Sequence, residues 1–177
     1  MNLNLGQFKK SAKKQNEKKD VTQFENVKQI VCFFLDTQEY GIEIEYISEV
    51  VSLLPITRLI HVPNFVKGVM NLRGNIIGVI DIKVFFNLTP IKENIDTKII
   101  VTNYKEKTVG LMVDKISEIQ LININAILPT PPTVPKRQQT FLKGVIQLKE
   151  HPLMILNIEE LLFCEDAKQF EEKTTNF

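Results

Sequence analysis

Phe65-Val-Lys-Gly-Val-Met-Asn-Leu72 returns 76 residues later as Phe141-Leu-Lys-Gly-Val-Ile-Gln-Leu148, with five of eight positions identical. The same offset carries Val79-Ile-Asp-Ile82 onto Ile155-Leu-Asn-Ile158 and Phe85-Phe86 onto Leu161-Leu162. Upstream, Tyr40-Gly-Ile-Glu-Ile-Glu-Tyr-Ile-Ser-Glu-Val50 aligns with Val109-Gly-Leu-Met-Val-Asp-Lys-Ile-Ser-Glu-Ile119 at an offset of 69, with four identities. Of only seven glycines, four fall in these pairs, Gly41 with Gly110 and Gly68 with Gly144. The unit is longer than a solenoid repeat and occurs twice, which predicts two similar lobes rather than an array.

The elements within the unit read as short strands. Ile30–Leu35 is an apolar run, followed by a polar turn and a strand over Tyr40–Glu45. There Ile42 and Ile44 alternate with Glu43 and Glu45, the period of a strand with one face buried and the glutamates outward. Ile47, Val50 and Val51 fall at i, i+3 and i+4, which predicts one or two helical turns over Tyr46–Val51. Pro55 and Pro63 mark Leu53–Asn64 as a loop or edge strand. Val69–Leu72 and Ile76–Ile82 form a hairpin around Arg73-Gly74-Asn75, the second strand apolar enough for burial on both faces. Val84, Phe85 and Phe86 start a short helix. Five strands per lobe fit small closed barrels, which leave no sheet edge open. The fold class read from the sequence is therefore all-β with short helices: two five-stranded, SH3-like barrel lobes related by internal duplication. Lobe one spans about residues 29–88 and lobe two about 96–162, with strand exchange between them allowed. Pro129, Pro131, Pro132 and Pro135 stiffen a loop in lobe two.

Charge is divided unevenly. The first 28 residues carry seven lysines against Glu17, Asp20 and Glu25, while the net formal charge of the whole chain is +1. Residues 1–27 read as a flexible, lysine-rich tail in which Leu3, Leu5 and Phe8 are the apolar groups, and 164–177 as a charged helix or tail. The remaining body is mildly acidic, which argues against a phosphate-backbone partner and hence against nucleic acid. No apolar run approaches the ~20 residues that span a bilayer, and no signal peptide is legible. A cytoplasmic protein is expected.

A search for chemistry finds no constellation. Cys32 and Cys164 lack metal-ligand spacing, and two histidines, His61 and His151, stand in proline-flanked loops without clustered carboxylates. Among Ser11, Ser48, Ser52 and Ser117 none has a nucleophile-elbow context, and Ser48 and Ser117 are repeat mates, which points to a shared structural role. No phosphate-cradling glycine loop is present. The expectation is no enzyme, no cofactor and no metal.

Phe65–Gly74 with the Asn-Leu-Arg-Gly hairpin, Ile76–Lys83, Gln38–Ile44, Val109–Asp114 and the closing Asn157-Ile-Glu-Glu-Leu161 together resemble the CheW family of bacterial chemotaxis coupling proteins. The likeness covers about Gln29–Phe163. It implies two SH3-like barrels with a hydrophobic groove between them, and no catalysis. It further implies two partners: the regulatory domain of a CheA-type histidine kinase, and the cytoplasmic tips of methyl-accepting chemoreceptors, assembled in membrane-anchored receptor arrays.

The duplication offers an internal control on which residues do the coupling. Gly68 and Gly144 agree between halves and are assigned, with Gly74, to backbone turns. Arg73-Gly74 becomes Lys149-Glu150, so the fold does not demand arginine there, and a guanidinium grips carboxylates in a planar fork. The resemblance places the matching arginine of the family in coupling. Glu49 agrees with Glu118, which leaves it between a structural and a docking role. Ile44, Ile47, Val101 and Met112 are the groove candidates, Met112 because its mate Glu43 is expected to face outward.

Overall fold

The computed structural model describes residues 26–148 and 151–164. The lysine-rich segment 1–25, the Lys149-Glu150 pair and residues 165–177 lie outside the described residues. The described residues form eleven strands, three short α-helices and two single 3-10 turns, at Ile44–Tyr46 and Ile124–Ala126. The first half contains β1 (Val27–Leu35), β2 (Gln38–Glu43), β3 (Ile47–Ser52), β4 (Ile56–Thr57), β5 (Val66–Leu72), β6 (Asn75–Asp81) and α1 (Ile82–Phe85). The second contains β7 (Lys98–Tyr104), β8 (Lys107–Val113), β9 (Lys115–Asn123), α2 (Lys136–Thr140), β10 (Leu142–Gln147), β11 (Pro152–Leu156) and α3 (Ile158–Phe163).

Neither sheet is built from one half of the chain. One sheet runs β3-β7-β8-β6-β5-β4 and the other β10-β11-β2-β1-β9. The first two strands of each half have crossed into the other half's sheet, where they join by parallel pairing, β6 to β8 and β11 to β2. The two sequence halves, 29–88 and 96–162, are therefore repeats and not spatial lobes, and the strand exchange left open above is the rule. Each sheet curls toward closure. In the first barrel β3 and β4 are consecutive in sequence yet stand at opposite ends of the strand order. In the second, Leu128, just past β9, bridges back to Val145 on β10.

The core has three parts. Met70, Val79, Ile99, Val101 and Met112 fill the first barrel, and Ile30, Cys32, Ile146, Leu153 and Ile155 occupy the matching interior of the second. Between the barrels lies a larger cluster drawn from both halves, including Phe33, Ile42, Phe85, Leu111, Phe141 and Leu162. Phe85 packs on Phe65 and Phe141 at ring separations of 5.1 and 4.8 Å. Fully burying a side chain of this size contributes about 1.5–3 kcal/mol, so the junction itself is a principal source of stability.

The repeat motifs now have physical causes. Gly68 and Gly144 are not turn residues but strand bulges, each at a register shift and each with positive φ, 142° and 151°. A Cβ on Gly68 would lie 2.0 Å from the Thr57 carbonyl oxygen, and one on Gly144 2.3 Å from that of Leu128. Asp81 and its mate Asn157 cap α1 and α3 by accepting backbone N–H groups. Ser48 and Ser117 sit where β3 and β9 slip register against β7 and β1.

Three local expectations are corrected. Tyr46–Val51 is not helical: a single 3-10 turn over Ile44–Tyr46 leads into β3, because pairing with β7 supplies the hydrogen bonds that a helix would. Ile76 is exposed, against the expectation of a strand buried on both faces, since it lies beside the hairpin tip, past the cover of the barrel. Glu43 is buried and Ile44 exposed, the reverse of the alternation reading, because β2 ends at Glu43 and the chain turns there. The Arg73-Gly74 hairpin is as expected, with both residues at positive φ, a two-residue turn of the kind matched to strand twist.

Replacing Gly144 by alanine should cost at least about 2 kcal/mol through backbone strain and the carbonyl clash. Urea denaturation of Gly144→Ala and Gly68→Ala checks this, and a midpoint equal to wild type in either variant would refute the account of that position.

Candidate docking site

The candidate residues separate into two groups. Val101 and Met112 are 2% and 0% exposed, inside the first barrel, and neither can touch a partner. The reason is that β7 and β8 are central strands covered on both faces. Val101 and Met112 point into the barrel, while Ile100, Leu111 and Val113 face the inter-barrel core. The period-two pattern distinguishes the faces of a strand but not whether both are covered.

Arg73, Glu49, Ile44 and Ile47 remain at the surface. The Arg73 guanidinium donates to a Glu49 carboxylate oxygen at 2.8 Å. This contact joins the β5–β6 turn to β3 across the mouth of the first barrel. Arg73 keeps most of its donors facing solvent, its side chain being 78% exposed against 26% for Glu49. The turn that presents it is stabilised by Asn71, whose side-chain oxygen accepts from Gly74 N–H at 2.8 Å. Ile47, two residues before Glu49, is half-buried and packs on the inter-barrel core, and Ile44 is exposed at the preceding turn.

Sequence reading missed the charge network beside Ile44. The Glu43 carboxylate, 4% exposed, receives Lys28 Nζ on one oxygen and Lys143 Nζ, at 2.6 Å, on the other. Lys28 also reaches Glu45 at 2.5 Å. Burial pushes the Glu43 carboxyl up, but the Lys143 and Lys28 ammonium groups outweigh it and hold it at about 2. The one available signal was the mismatch of Glu43 with Met112 across the repeat. Next to it, Tyr46 and Tyr104 donate to the two oxygens of Glu159, each at 2.7 Å. Burial and then this hydrogen bond raise the Tyr46 phenol, while both phenols lower Glu159. Burial pushes the Cys32 thiol up to about 12, the state of a packed hydrophobe rather than a nucleophile. Among the described residues no three His, Cys, Asp or Glu side chains gather where a metal ion would be held, and no helix is long and apolar enough to cross a membrane.

Two barrels fused along a common core, with an exposed ion pair at one mouth and apolar groups at the junction, define a double-barrel docking scaffold. Comparison with known proteins agrees. Residues 29–163 match the family described as CheW-like domain. The chemotaxis proteins CheW of Klebsiella aerogenes and Helicobacter pylori are each 33% identical over 138 residues, covering 78% of this chain and 83% of theirs. The crystal structure of the scaffolding protein TtCheW from Thermoanaerobacter tengcongensis superposes with a TM-score of 0.72 at 32% identity, over 81% of this chain and 92% of that one. The chain belongs to the CheW-like family, the scaffold proteins of chemotaxis.

The Glu43 network makes a pH prediction. With its folded-state value at about 2 and its ordinary value at 4.5, Glu43 contributes stability above the ordinary value, lost as pH falls from there toward 2. Glu43→Met copies the residue of the other repeat and removes that term. Urea midpoints of the variant should therefore fall less steeply than those of wild type between pH 6 and 3; parallel slopes would contradict the assignment.

Proposed function

We propose that this protein is an adaptor that couples the cytoplasmic tips of methyl-accepting chemoreceptors to a CheA-type histidine kinase, without catalysis of its own. It works in the cytoplasm, in arrays anchored through the receptors. The observation that carries this reading is the exposed Arg73–Glu49 pair, presented on a two-residue turn braced by Asn71 and joined to the strand that begins at the half-buried Ile47, in a chain of the CheW-like family. A receptor tip helix lays its apolar face at the barrel junction over Ile44 and Ile47, the helix-in-groove mode. Arg73 retains free donors for a partner carboxylate while Glu49 holds the guanidinium in place. The kinase regulatory domain occupies a separate barrel face. Signal passes because receptor states bind the adaptor and kinase assembly with unequal affinity, and a lattice of weak contacts gains strength from effective concentration.

Reconstitution with receptor fragments and kinase, read as phosphorylation rate, tests the reading. Adding the wild-type protein should make kinase activity receptor-dependent, and no such dependence would overturn the adaptor role. Arg73→Asn is the discriminating variant, since asparagine tolerates the positive φ of the turn while removing the guanidinium. Coupling should drop about tenfold or more, the scale of a lost charged hydrogen bond. The urea midpoint should stay near wild type, because an exposed ion pair contributes only about 0–1 kcal/mol. Undiminished coupling in Arg73→Asn would take Arg73 out of the site.

A further inference from the structure

Ile44 owes its exposure to a turn with little local support. β2 ends at Glu43, and Ile44–Tyr46 form a single 3-10 turn closed by the Ile47 N–H, which donates to the Ile44 carbonyl. Glu43 stands at the N-terminal end of the turn, yet its side chain caps none of the N–H groups there. One hydrogen bond does not offset the entropy of fixing three residues, so the turn depends on contacts from outside it.

The outside contact comes from β1. The Lys28 ammonium donates to a carboxylate oxygen of Glu43 and, at 2.5 Å, to one of Glu45, the residues on either side of Ile44. Strand register explains the reach. Ile30 lies opposite Glu43, and Lys28, two residues earlier on the same face of β1, comes level with Glu45. Two carboxylates at alternate positions repel each other unless a cation stands between them. Lys143 meets the other oxygen of Glu43 at 2.6 Å, whereas the ion pairs of Glu45 among the described residues run to Lys28 alone. Lys28 is thus the group that ties both flanks of Ile44 to β1.

The duplication shows that this arrangement is not a requirement of the fold. At the offset of 69, Ile44 corresponds to Val113, Glu45 to Asp114 and Lys28 to Thr97. The strand registers keep that offset, with Ile30 opposite Glu43 in one half and Ile99 opposite Met112 in the other. Val113 is fully buried at the end of β8, and Asp114 is held by Lys83, at 3.3 Å, from α1 rather than from the strand. Neither an exposed side chain at the position of Ile44 nor a lysine at the position of Lys28 is needed to build the barrel. The two occur together, in one half only.

We infer that Lys28 is a positioning residue for docking: by gripping Glu43 and Glu45 at once it fixes the turn that presents Ile44 to the receptor tip. The inference rests on the receptor contact proposed at Ile44. The clamp also balances charge around that residue, two ammonium groups against two carboxylates, which suits the apolar face of a partner helix. Without Lys28 the half-exposed Glu45 is left unneutralised beside Ile44, while Glu43 keeps Lys143 and its burial stays compensated.

Two measurements on the full-length protein separate the clamp from the contact it serves. Amide hydrogen exchange without any partner reads the clamp. The Ile47 amide should exchange about fivefold faster in Lys28→Met, the scale of two partly exposed ion pairs, and near the wild-type rate in Lys28→Arg, with β7 and β8 amides unchanged. Equal exchange in wild type and Lys28→Met would overturn the inference. If Lys28→Met fails to fold, Glu45→Gln, which empties the clamp from its exposed side, should give the same acceleration. Binding of the cytoplasmic fragment of a methyl-accepting chemoreceptor reads the consequence. Lys28→Met should weaken it about three- to tenfold, Lys28→Arg should restore it, and in an Ile44→Ala background Lys28→Met should change it less than about twofold, since the contact it positions is gone. Fully additive losses would show that Lys28 acts through something other than Ile44 and would overturn the positioning role. An Ile44→Ala protein that binds the fragment like wild type would instead overturn the receptor contact on which the inference rests, a result distinct from either of the others.

Discussion

The structure depends on the hydrophobic junction between the barrels. Because each half sends its first two strands into the other sheet, neither barrel is complete without the whole chain. The side chains at the crossing, among them Phe33, Phe85, Leu111 and Phe141, are then buried from both sides. Burying apolar area is the dominant favourable term in folding, and here the largest share of it is common to both barrels. The two barrels are for this reason one unit, able to hold partner surfaces at a set angle. That is the mechanical property an adaptor needs.

The same constraint decides what is available for binding. The exchanged strands β1, β2, β7 and β8 are the central strands, so their side chains are consumed by the barrel interiors and the junction. Val101 and Met112 are lost to docking in this way. What remains for partners lies at the hairpin tips, the barrel mouths and the first residues past a strand end, where Arg73, Glu49, Ile44 and Ile47 are found. Arg73 and Glu49 also show how the surface is set by closure: they are far apart in sheet order and meet only because the sheet curls.

The points where the halves differ are electrostatic. Met112 in one barrel is answered by Glu43 in the other, held by Lys28 and Lys143. Lys83, bridged between Asp36 and Asp114, is answered by Glu159 between two phenols. Each buried or half-buried charge has its partners in place, which is the condition for tolerating it. The fold is thus kept by matched glycines, caps and apolar positions, and the two faces are made different by charge. On the proposed function, such divergence would let the two faces discriminate between unlike partners.

Duplication, β-class, the Arg73-Gly74 hairpin, a short helix at Val84-Phe85 and the family were all determined by the sequence alone, whereas the caps at Asp81 and Asn157 came with the structure. They rest on local periodicity, on turn chemistry and on repeated residues, which act within a few positions of chain. The exchange of strands, the burial of Glu43, Val101 and Met112, and the pairing of Arg73 with Glu49 were decided only by the tertiary structure. Alternation along a strand records which residues share a face; it holds no record of which distant strand will cover that face, and that covering is what separates a core residue from a docking one.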